Sequence, residues 1–222
     1  MKYRIITSQD PTSFVSEEYH KLKLNLDYSS IDKKNQVIQV TSTVMSEGKT
    51  ITVLNLAVSY SQNGKKVVLI DLDLRRPKVH RGFNFKNENG ISEYLADKID
   101  KSQLIKKTEI GVDVILAGEK TPFINSLLES KKLKDLIEEL RKEYDYVLID
   151  TPPVSVVADP LIISKIVDGV VYVVASRKAK KTLIKESLNS LKLTGCNVLG
   201  VCFTQVKKAD FGDYKTKYHR YE

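Results

Sequence analysis

The chain of 222 residues is long enough for one domain with a sizeable hydrophobic core. Its composition, 41% hydrophobic and 29% charged, is typical of a folded globular protein and excludes a disordered or fibrous one. No apolar run approaches the roughly 20 residues needed to cross a bilayer, and the N-terminus lacks the apolar core of a signal peptide. We therefore expect a cytoplasmic protein.

The formal net charge is +8, from 36 Lys and Arg against 28 Asp and Glu. The sign alone suits nucleic acid, an anionic membrane surface or an acidic partner. Because the lysines are scattered among acidic residues and no arginine-rich run occurs, we interpret them as a solvated surface and expect no nucleic acid. Cys196 and Cys202 lie in an apolar stretch without neighbouring His or acidic residues, which predicts buried free thiols.

The first predicted element is a helix over residues 16–28. Tyr19, Leu22 and Leu26 recur there at helical spacing, behind Ser16 as a plausible N-cap. This helix precedes the first strand.

Short apolar runs and helical patterns then alternate along the chain. The predicted buried strands are 37–42, 66–71, 112–117, 146–150, 168–176 and 198–203, and the predicted helices are 50–64, 126–144 and 182–195. Such alternation predicts an α/β fold with a mostly parallel central sheet and helices on both faces. We take residues 1–206 as a single domain and residues 207–222, which lack apolar periodicity, as a flexible tail.

The segment TSTVMSEGKT (41–50) ends like a phosphate-binding loop, although Thr43 stands where the usual pattern has glycine. It follows a predicted strand and opens a predicted helix, which directs backbone N–H groups and the helix dipole at an anion. Gly48 allows close approach of the backbone, Lys49 places a charge between terminal phosphates, and the Thr50 hydroxyl can bind Mg²⁺. Glu47 would repel phosphate unless it points away. We expect the nucleotide contacts to be Ser46, Glu47, Gly48, Lys49, Thr50 and Ile51.

Two further predicted strands end in carboxylates. Asp150 ends the strand 146–150, and Asp71 and Asp73 end the strand 66–71, with Arg75 and Arg76 just beyond. In a parallel sheet these strand ends meet at the edge where ligands bind. Each acid alone is equally well explained as a helix cap or a surface ion pair. Three of them beside a Gly-Lys-Thr loop favour binding of a nucleotide with Mg²⁺.

Together the segments 41–50, VLIDLDLRRPKVH (68–80) and VLIDTPP (147–153) resemble the Walker A, second Walker-type and Walker B segments of the bacterial tyrosine kinases (BY-kinases). The resemblance runs from about Ser16 to the end. It implies a P-loop NTPase-like fold and an ATP- and Mg²⁺-dependent protein-tyrosine kinase of capsular and exopolysaccharide synthesis and export. Met45 and Ser46 stand where the family commonly has Pro and Gly.

By this resemblance the catalytic residues are Lys49, Asp71, Asp73 and Asp150. Thr50, Asp73 and Asp150 would hold the metal, while Asp71 would orient or deprotonate the incoming tyrosine hydroxyl. The division of roles between Asp71 and Asp73 stays open.

The resemblance also implies that the C-terminal tyrosines Tyr214, Tyr218 and Tyr221 are autophosphorylated between subunits. Lys215, Lys217 and Arg220 would offset the added phosphate charge. The alternative is an incidental disordered tail.

Oligomer contacts are implied as well. The family's Glu-x-x-Arg-x-x-Arg motif is matched here by Glu17, His20 and Lys23, which lack both guanidinium forks and should make a weaker contact. Arg76 is the fourth expected contact. The family further implies a separate transmembrane activator with a cytoplasmic tail, which would hold the kinase at the inner face of the membrane, and a phosphotyrosine phosphatase.

Two other functions fit parts of the pattern. A nucleotide-gated assembly ATPase of the chromosome-partition or septum-site type would share the fold, but it has no need for the tail tyrosines, and the early lysine of those loops is missing here. A metabolic P-loop kinase would need a small-molecule acceptor pocket, which the sequence does not indicate.

Overall fold

The computed structural model describes residues 3–29 and 35–207, which form a seven-stranded sheet flanked by helices. The strands are β1 (Val37–Ser42), β2 (Val67–Asp71), β3 (Ile105–Lys106), β4 (Val112–Ile115), β5 (Tyr146–Asp150), β6 (Gly169–Ala175) and β7 (Val198–Thr204). Every strand expected from an apolar run is present, within two residues at each end.

The strand order in the sheet is β3-β4-β2-β5-β1-β6-β7. All neighbouring pairs are parallel except β3 with β4. The two-residue strand β3 was not predicted, since it is too short to show a hydrophobic period. The α/β fold with a mostly parallel sheet is confirmed.

Ten helices occur among the described residues. They are α1 (Ile6–Gln9), α2 (Phe14–Tyr28), α3 (Lys49–Gln62), α4 (Val79–Phe83), α5 (Ile91–Leu95), α6 (Lys101–Leu104), α7 (Ile124–Glu129), α8 (Lys131–Glu143), α9 (Asp159–Ile163) and α10 (Lys181–Leu193). The first four cover one face of the sheet, where Leu26 and Leu56 join the buried side chains of β1, β2 and β5. The other six cover the opposite face.

Helix α8 shows why these helices form where they do. Leu133, Leu136, Ile137 and Leu140 recur on one side of it and are all buried against the sheet. Each such side chain contributes roughly 1.5–3 kcal/mol of hydrophobic free energy. Because the other side is charged, the helix has only one way to lie on the sheet.

Two predictions about helices were wrong. The single helix expected over 126–144 is split into α7 and α8 by Ser130. The extended backbone of Ser130 interrupts the helix, and its hydroxyl caps α8 by accepting the Leu133 N–H. The expected cap Ser16 lies inside α2, and Ser13 caps that helix instead by accepting the Ser16 N–H at 3.2 Å. Apolar spacing runs on through Ser130 and so hides the break there, whereas α2 begins two residues earlier than expected, at Phe14.

Strand β7 was expected to be buried, and it is not. It lies at the edge of the sheet, where Val201 is 44% and Phe203 68% exposed. Cys196 and Cys202 are free thiols, as predicted, but they are half-buried rather than buried.

The predicted phosphorylation sites Tyr214, Tyr218 and Tyr221 lie outside the described residues, as does all of the predicted tail after Lys207. Within the described part of the chain, no helix combines the length and the apolar character that a membrane crossing requires.

Candidate functional site

The candidate site lies at the carboxyl ends of the three central strands β2, β5 and β1. Asp71 and Asp150 are paired residues at the ends of β2 and β5, and the phosphate loop leaves β1 after Ser42. The strand order thus brings together the loop and the carboxylates that the sequence predicted for one edge of the sheet.

The phosphate loop turns sharply between β1 and α3. Ser46 and Gly48 both have left-handed backbone angles, with φ of 61° and 95°, and α3 begins at Lys49. A side chain at Gly48 would be strained by this angle and would lie 3.3 Å from the Thr204 hydroxyl. Since the first N–H groups of a helix have no acceptor within it, the loop directs positive ends of peptide dipoles at one point.

Lys49 lies between two carboxylates. Its Nζ donates to Asp73 Oδ2 at 2.8 Å and to Asp150 Oδ1 at 3.4 Å, and only 6% of the residue is exposed. Burial lowers the pKa of Lys49, but Asp150 and Asp73 outweigh burial and raise it above its ordinary value. The lysine is therefore charged and balances part of the acidic cluster.

Thr50 and Asp150 form the second contact between the loop and the sheet. The Thr50 hydroxyl donates to Asp150 Oδ2 at 2.7 Å, so both oxygens of this fully buried carboxylate face residues of α3. Burial, and then the nearby Asp73 charge, raise the pKa of Asp150 against the opposing effect of Lys49.

Asp71 faces the backbone of its own loop. Its Oδ1 accepts the Asp73 N–H at 3.1 Å, and its Oδ2 accepts the N–H groups of Lys78 and Val79, both at 3.0 Å. Burial, and then the Asp150 charge, raise the pKa of Asp71 to about 7. Its three hydrogen bonds shape the segment that carries Asp73.

Two contacts at the site were missed by sequence reasoning. Arg75 forms a two-pronged ion pair with the fully buried Asp159 of α9, at 2.8 and 3.0 Å, which fastens the loop after β2 to the opposite face. Glu47 is fully buried and accepts the N–H groups of Val44 and Ala175. Its carboxylate points into the protein, the orientation that phosphate binding requires. Asp159 lies far in sequence from Arg75, and Ala175 lies far from Glu47, so no local pattern reveals these two contacts.

Three of the four predicted oligomer contacts lie on α2, and the fourth lies in the loop after β2. Glu17 is exposed on α2, but His20 Nδ1 lies 2.7 Å from the Ser59 hydroxyl, and Lys23 is buried in an ion pair with Asp27 at 3.0 Å. Arg76 is exposed in the loop after β2, where a guanidinium N–H donates to the Met45 sulfur.

Hard oxygen donors surround Lys49, as a magnesium site would require. Asp73, Asp150 and the Thr50 hydroxyl supply them. Among the described residues no group of three or more His, Cys, Asp or Glu is arranged to hold a metal ion. The cation between the two carboxylates is the Lys49 ammonium itself.

Comparison with known proteins identifies the family. The model of the AAA domain family matches residues 35–194. Tyrosine-protein kinase YwqD of Bacillus subtilis (strain 168) is 35% identical over 98% of this chain and 93% of its own length. The chain belongs to the bacterial tyrosine kinase family. The predicted family and the predicted enzyme class, a protein-tyrosine kinase, are thereby confirmed.

Solved structures superpose closely on this kinase. The chimerical protein CapA2B2 superposes with a TM-score of 0.89 at 34% identity, covering 92% of this chain and 90% of that chain. The kinase domain of Escherichia coli tyrosine kinase ETK also has a TM-score of 0.89, at 29% identity, covering 93% and 82%. The septum site-determining protein MinD of Pyrococcus horikoshii OT3 is 23% identical with a TM-score of 0.64 over 75% of this chain and 68% of that one, a likeness of fold alone.

Proposed function

We propose that this kinase uses ATP and Mg²⁺ to phosphorylate Tyr214, Tyr218 and Tyr221 on a neighbouring copy of itself, and that this modification regulates the synthesis and export of a capsular or exopolysaccharide. The observation that carries the proposal is the contact between Lys49 and Asp73 at 2.8 Å. It places a carboxylate from a second strand end beside the phosphate loop, where the tyrosine kinase family resemblance expects it.

The residues fit a nucleotide with Mg²⁺. Carboxylate and hydroxyl oxygens from Asp73, Asp150 and Thr50 are the donors that Mg²⁺ prefers, and bound Mg²⁺ would supply charge neutralisation at the transferred phosphoryl group. Lys49 would exchange its carboxylate partners for the terminal phosphates. The N–H groups from Ser46 to Ile51 would bind the remaining phosphate oxygens.

Asp71 is proposed to orient or deprotonate the acceptor tyrosine hydroxyl. Its three backbone hydrogen bonds hold the carboxylate in place at the site edge. A pKa of about 7 suits a group that takes up a proton near neutral pH. Asp73 and Asp150, which face Lys49, are then left for the metal.

Assembly and partners complete the proposal. Glu17 and Arg76 are exposed and available to a neighbouring subunit, whereas His20 and Lys23 contact their own chain and would first have to release Ser59 and Asp27. We further propose a separate transmembrane activator, which places the kinase at the inner face of the cell membrane, and a phosphotyrosine phosphatase that reverses the modification. Both follow from the family.

The alternative, a nucleotide-gated assembly ATPase, is disfavoured by the match to tyrosine-protein kinases. It would use the same loop and the same Asp150, and the likeness to the septum-site protein is one of fold. It predicts ATP turnover without phosphate on any tyrosine. No described contact favours it over the kinase.

The test is intact-mass and peptide-mapping analysis after incubation with Mg²⁺ and ATP, with and without the cytoplasmic tail of a candidate activator. We expect phosphate on Tyr214, Tyr218 or Tyr221 of the wild type and none in Lys49→Ala, whose melting temperature should show that it is folded. Tyrosine phosphate in Lys49→Ala would contradict the scheme. ATP turnover without tyrosine phosphate, even with an activator, would favour the assembly ATPase.

A further inference from the structure

Glu47 lies in the phosphate loop, where a carboxylate adds negative charge beside the candidate phosphate site. In this kinase it is fully buried. A buried carboxylate is costly unless hydrogen bonds or charges compensate it, so its partners indicate what it does.

The carboxylate of Glu47 joins two separate segments. Its Oε2 accepts the N–H of Val44, at the start of the loop, at 2.7 Å, and its Oε1 accepts the N–H of Ala175, the last residue of β6, at 3.2 Å. Hydrogen bonds to a charged acceptor are stronger than those between neutral groups. The side chain therefore closes the loop on itself and ties it to the sheet.

The backbone on both sides of this residue is held as well. The carbonyl of Glu47 accepts the Thr204 hydroxyl at 2.5 Å, and the carbonyl of Ser46 accepts Lys178 Nζ at 2.8 Å and Gln205 Nε2 at 2.9 Å. These partners come from the ends of β6 and β7. Ser46 has a φ of 61°, which a non-glycine residue adopts only at some cost, so the loop needs outside support to keep this shape.

We propose that Glu47 is a positioning residue that holds the phosphate loop in its nucleotide-binding shape by linking Val44 to the end of β6. The inference rests on the proposed function, since it concerns the loop assigned to ATP. The loop has Met45 and Ser46 where the family commonly has Pro and Gly, so the two hydrogen bonds of the Glu47 carboxylate would supply rigidity that the loop sequence lacks. With its carboxylate oxygens accepting the Val44 and Ala175 N–H groups, the Glu47 side chain would leave phosphate contact to the backbone.

The opposite view of Glu47 gives a prediction of opposite sign. If its charge acted only by repelling phosphate, neutralising it in Glu47→Gln would tighten nucleotide binding. If it positions the loop, Glu47→Gln keeps one acceptor oxygen, loses the other and weakens binding, and Glu47→Ala weakens it further. When a loop is competent only part of the time, the apparent dissociation constant rises by the inverse of that fraction.

The experiment measures the dissociation constant for ADP by calorimetry, and KM and kcat for ATP, in wild type, Glu47→Gln and Glu47→Ala. We expect the ADP dissociation constant and the KM for ATP to rise roughly ten-fold or more in Glu47→Ala, with Glu47→Gln between it and wild type. Saturating ATP restores the loop shape, so kcat should change less than two-fold. Glu186→Ala, at an exposed glutamate of α10, is the matched control and should behave as wild type.

Thr204→Val tests whether contacts from the sheet hold the phosphate loop, and it leaves the Glu47 side chain unchanged. It removes the hydroxyl that supports the loop from β7 and keeps the shape of a β-branched residue, so it should raise the same two constants several-fold. Glu47→Gln decides the matter if Glu47→Ala fails to fold, because it changes the same carboxylate at nearly the same volume. Unchanged or tighter ADP binding in folded Glu47→Gln and Thr204→Val, or a loss of kcat at unchanged KM, would overturn the proposal.

The ADP measurement separates this inference from the proposed function. A wild type that binds ADP but leaves its tyrosines unmodified would refute the tyrosine kinase proposal and still test Glu47. A wild type that binds no nucleotide would refute both.

Discussion

Lys49 allows two carboxylates from neighbouring strands to share a buried space. Asp73 and Asp150 would repel one another at this separation, and the ammonium between them offsets that repulsion. The same ammonium would be available to the phosphates of a nucleotide if the carboxylates held Mg²⁺ in its place. Lys49 therefore offsets part of the negative charge of these carboxylates.

Asp73→Asn tests this exchange. We expect the variant to lose most of the gain in ATP affinity that Mg²⁺ gives the wild type, because one of the two carboxylates proposed to hold the metal is gone. Its kcat should fall at least about a hundred-fold, since charge neutralisation at the phosphoryl group contributes several kcal/mol. ATP titrations with and without Mg²⁺ measure the gain. Asp135→Asn, at an exposed position of α8, is the control, and an undiminished gain in Asp73→Asn would remove Asp73 from the metal site.

The residues at the site were largely predictable, and their contacts were not. Lys49, Thr50, Asp71, Asp73 and Asp150 could be named because phosphate loops and strand-end acids have local sequence patterns. The partner of Arg75 is Asp159, and one partner of Glu47 is Ala175, each more than 80 positions away. Only the order of strands in the sheet brings such residues together, and a single sequence does not contain that order.

At the scale of elements, sequence patterns predicted the strands well because apolar runs of five or six residues mark buried parallel strands. The patterns did not predict burial correctly for the strand at the edge of the sheet. The run 198–203 has the same apolar character as the others, but among the described residues β7 has a partner strand on one side only, and Phe203 is exposed. Helix ends failed for a different reason, since Ser13 and Ser16 are chemically equal candidates for a cap and only backbone geometry distinguishes them.

Asp168 links three elements at the amino ends of the strands, on the side of the sheet away from the candidate site. It immediately precedes β6 and accepts the N–H groups of Gln36 and Val37 at 2.9 and 2.8 Å, and Arg141 of α8 donates to it at 2.6 Å. Burial raises its pKa, but the bond from Arg141 and the two N–H groups outweigh burial and lower the pKa below its ordinary value. One carboxylate therefore joins β1, β6 and α8.

Asp168→Asn should destabilise the fold at neutral pH by about 1–3 kcal/mol, because the amide keeps an acceptor but loses the charge. The direction of the pH dependence follows from the lowered pKa of Asp168, because the folded state favours the ionised carboxylate. The stabilisation by Asp168 is therefore fully present above the pKa of about 4 that an aspartate has in the unfolded chain. It is lost as the pH falls through the lower pKa of the folded state. Urea unfolding at pH 7 and at successively lower pH below 4 should show the difference between wild type and variant shrinking. A difference independent of pH would mean that the charge of Asp168 contributes nothing. Glu109→Gln, at an exposed position, serves as the control.

At the scale of the whole molecule, the described residues that form the candidate site all lie between Thr41 and Gln205. The chain leaves the sheet at Thr204, whose hydroxyl contacts the phosphate loop. Tyr214 is ten positions farther on, and such a segment spans at most about 36 Å. That length permits phosphorylation within a chain as well as between chains, so the two must be separated by experiment.

A mixture of two variants separates them. One lacks residues 208–222 and keeps the site, so it should bind nucleotide and melt as wild type does while losing most of its own phosphorylation. The other is full-length Lys49→Ala, which has the tyrosines and no activity of its own. If transfer occurs between subunits, incubation of both with Mg²⁺ and ATP should place phosphate on Tyr214, Tyr218 or Tyr221 of the Lys49→Ala chain, which its greater mass identifies.

Phosphate in the wild type but not in the mixture would restrict transfer to a chain's own tail. Phosphate on Tyr144 or Tyr172 of the truncated variant would show that the tail is not the acceptor, although Tyr172 is fully buried and Tyr144 donates its hydroxyl to Asp113.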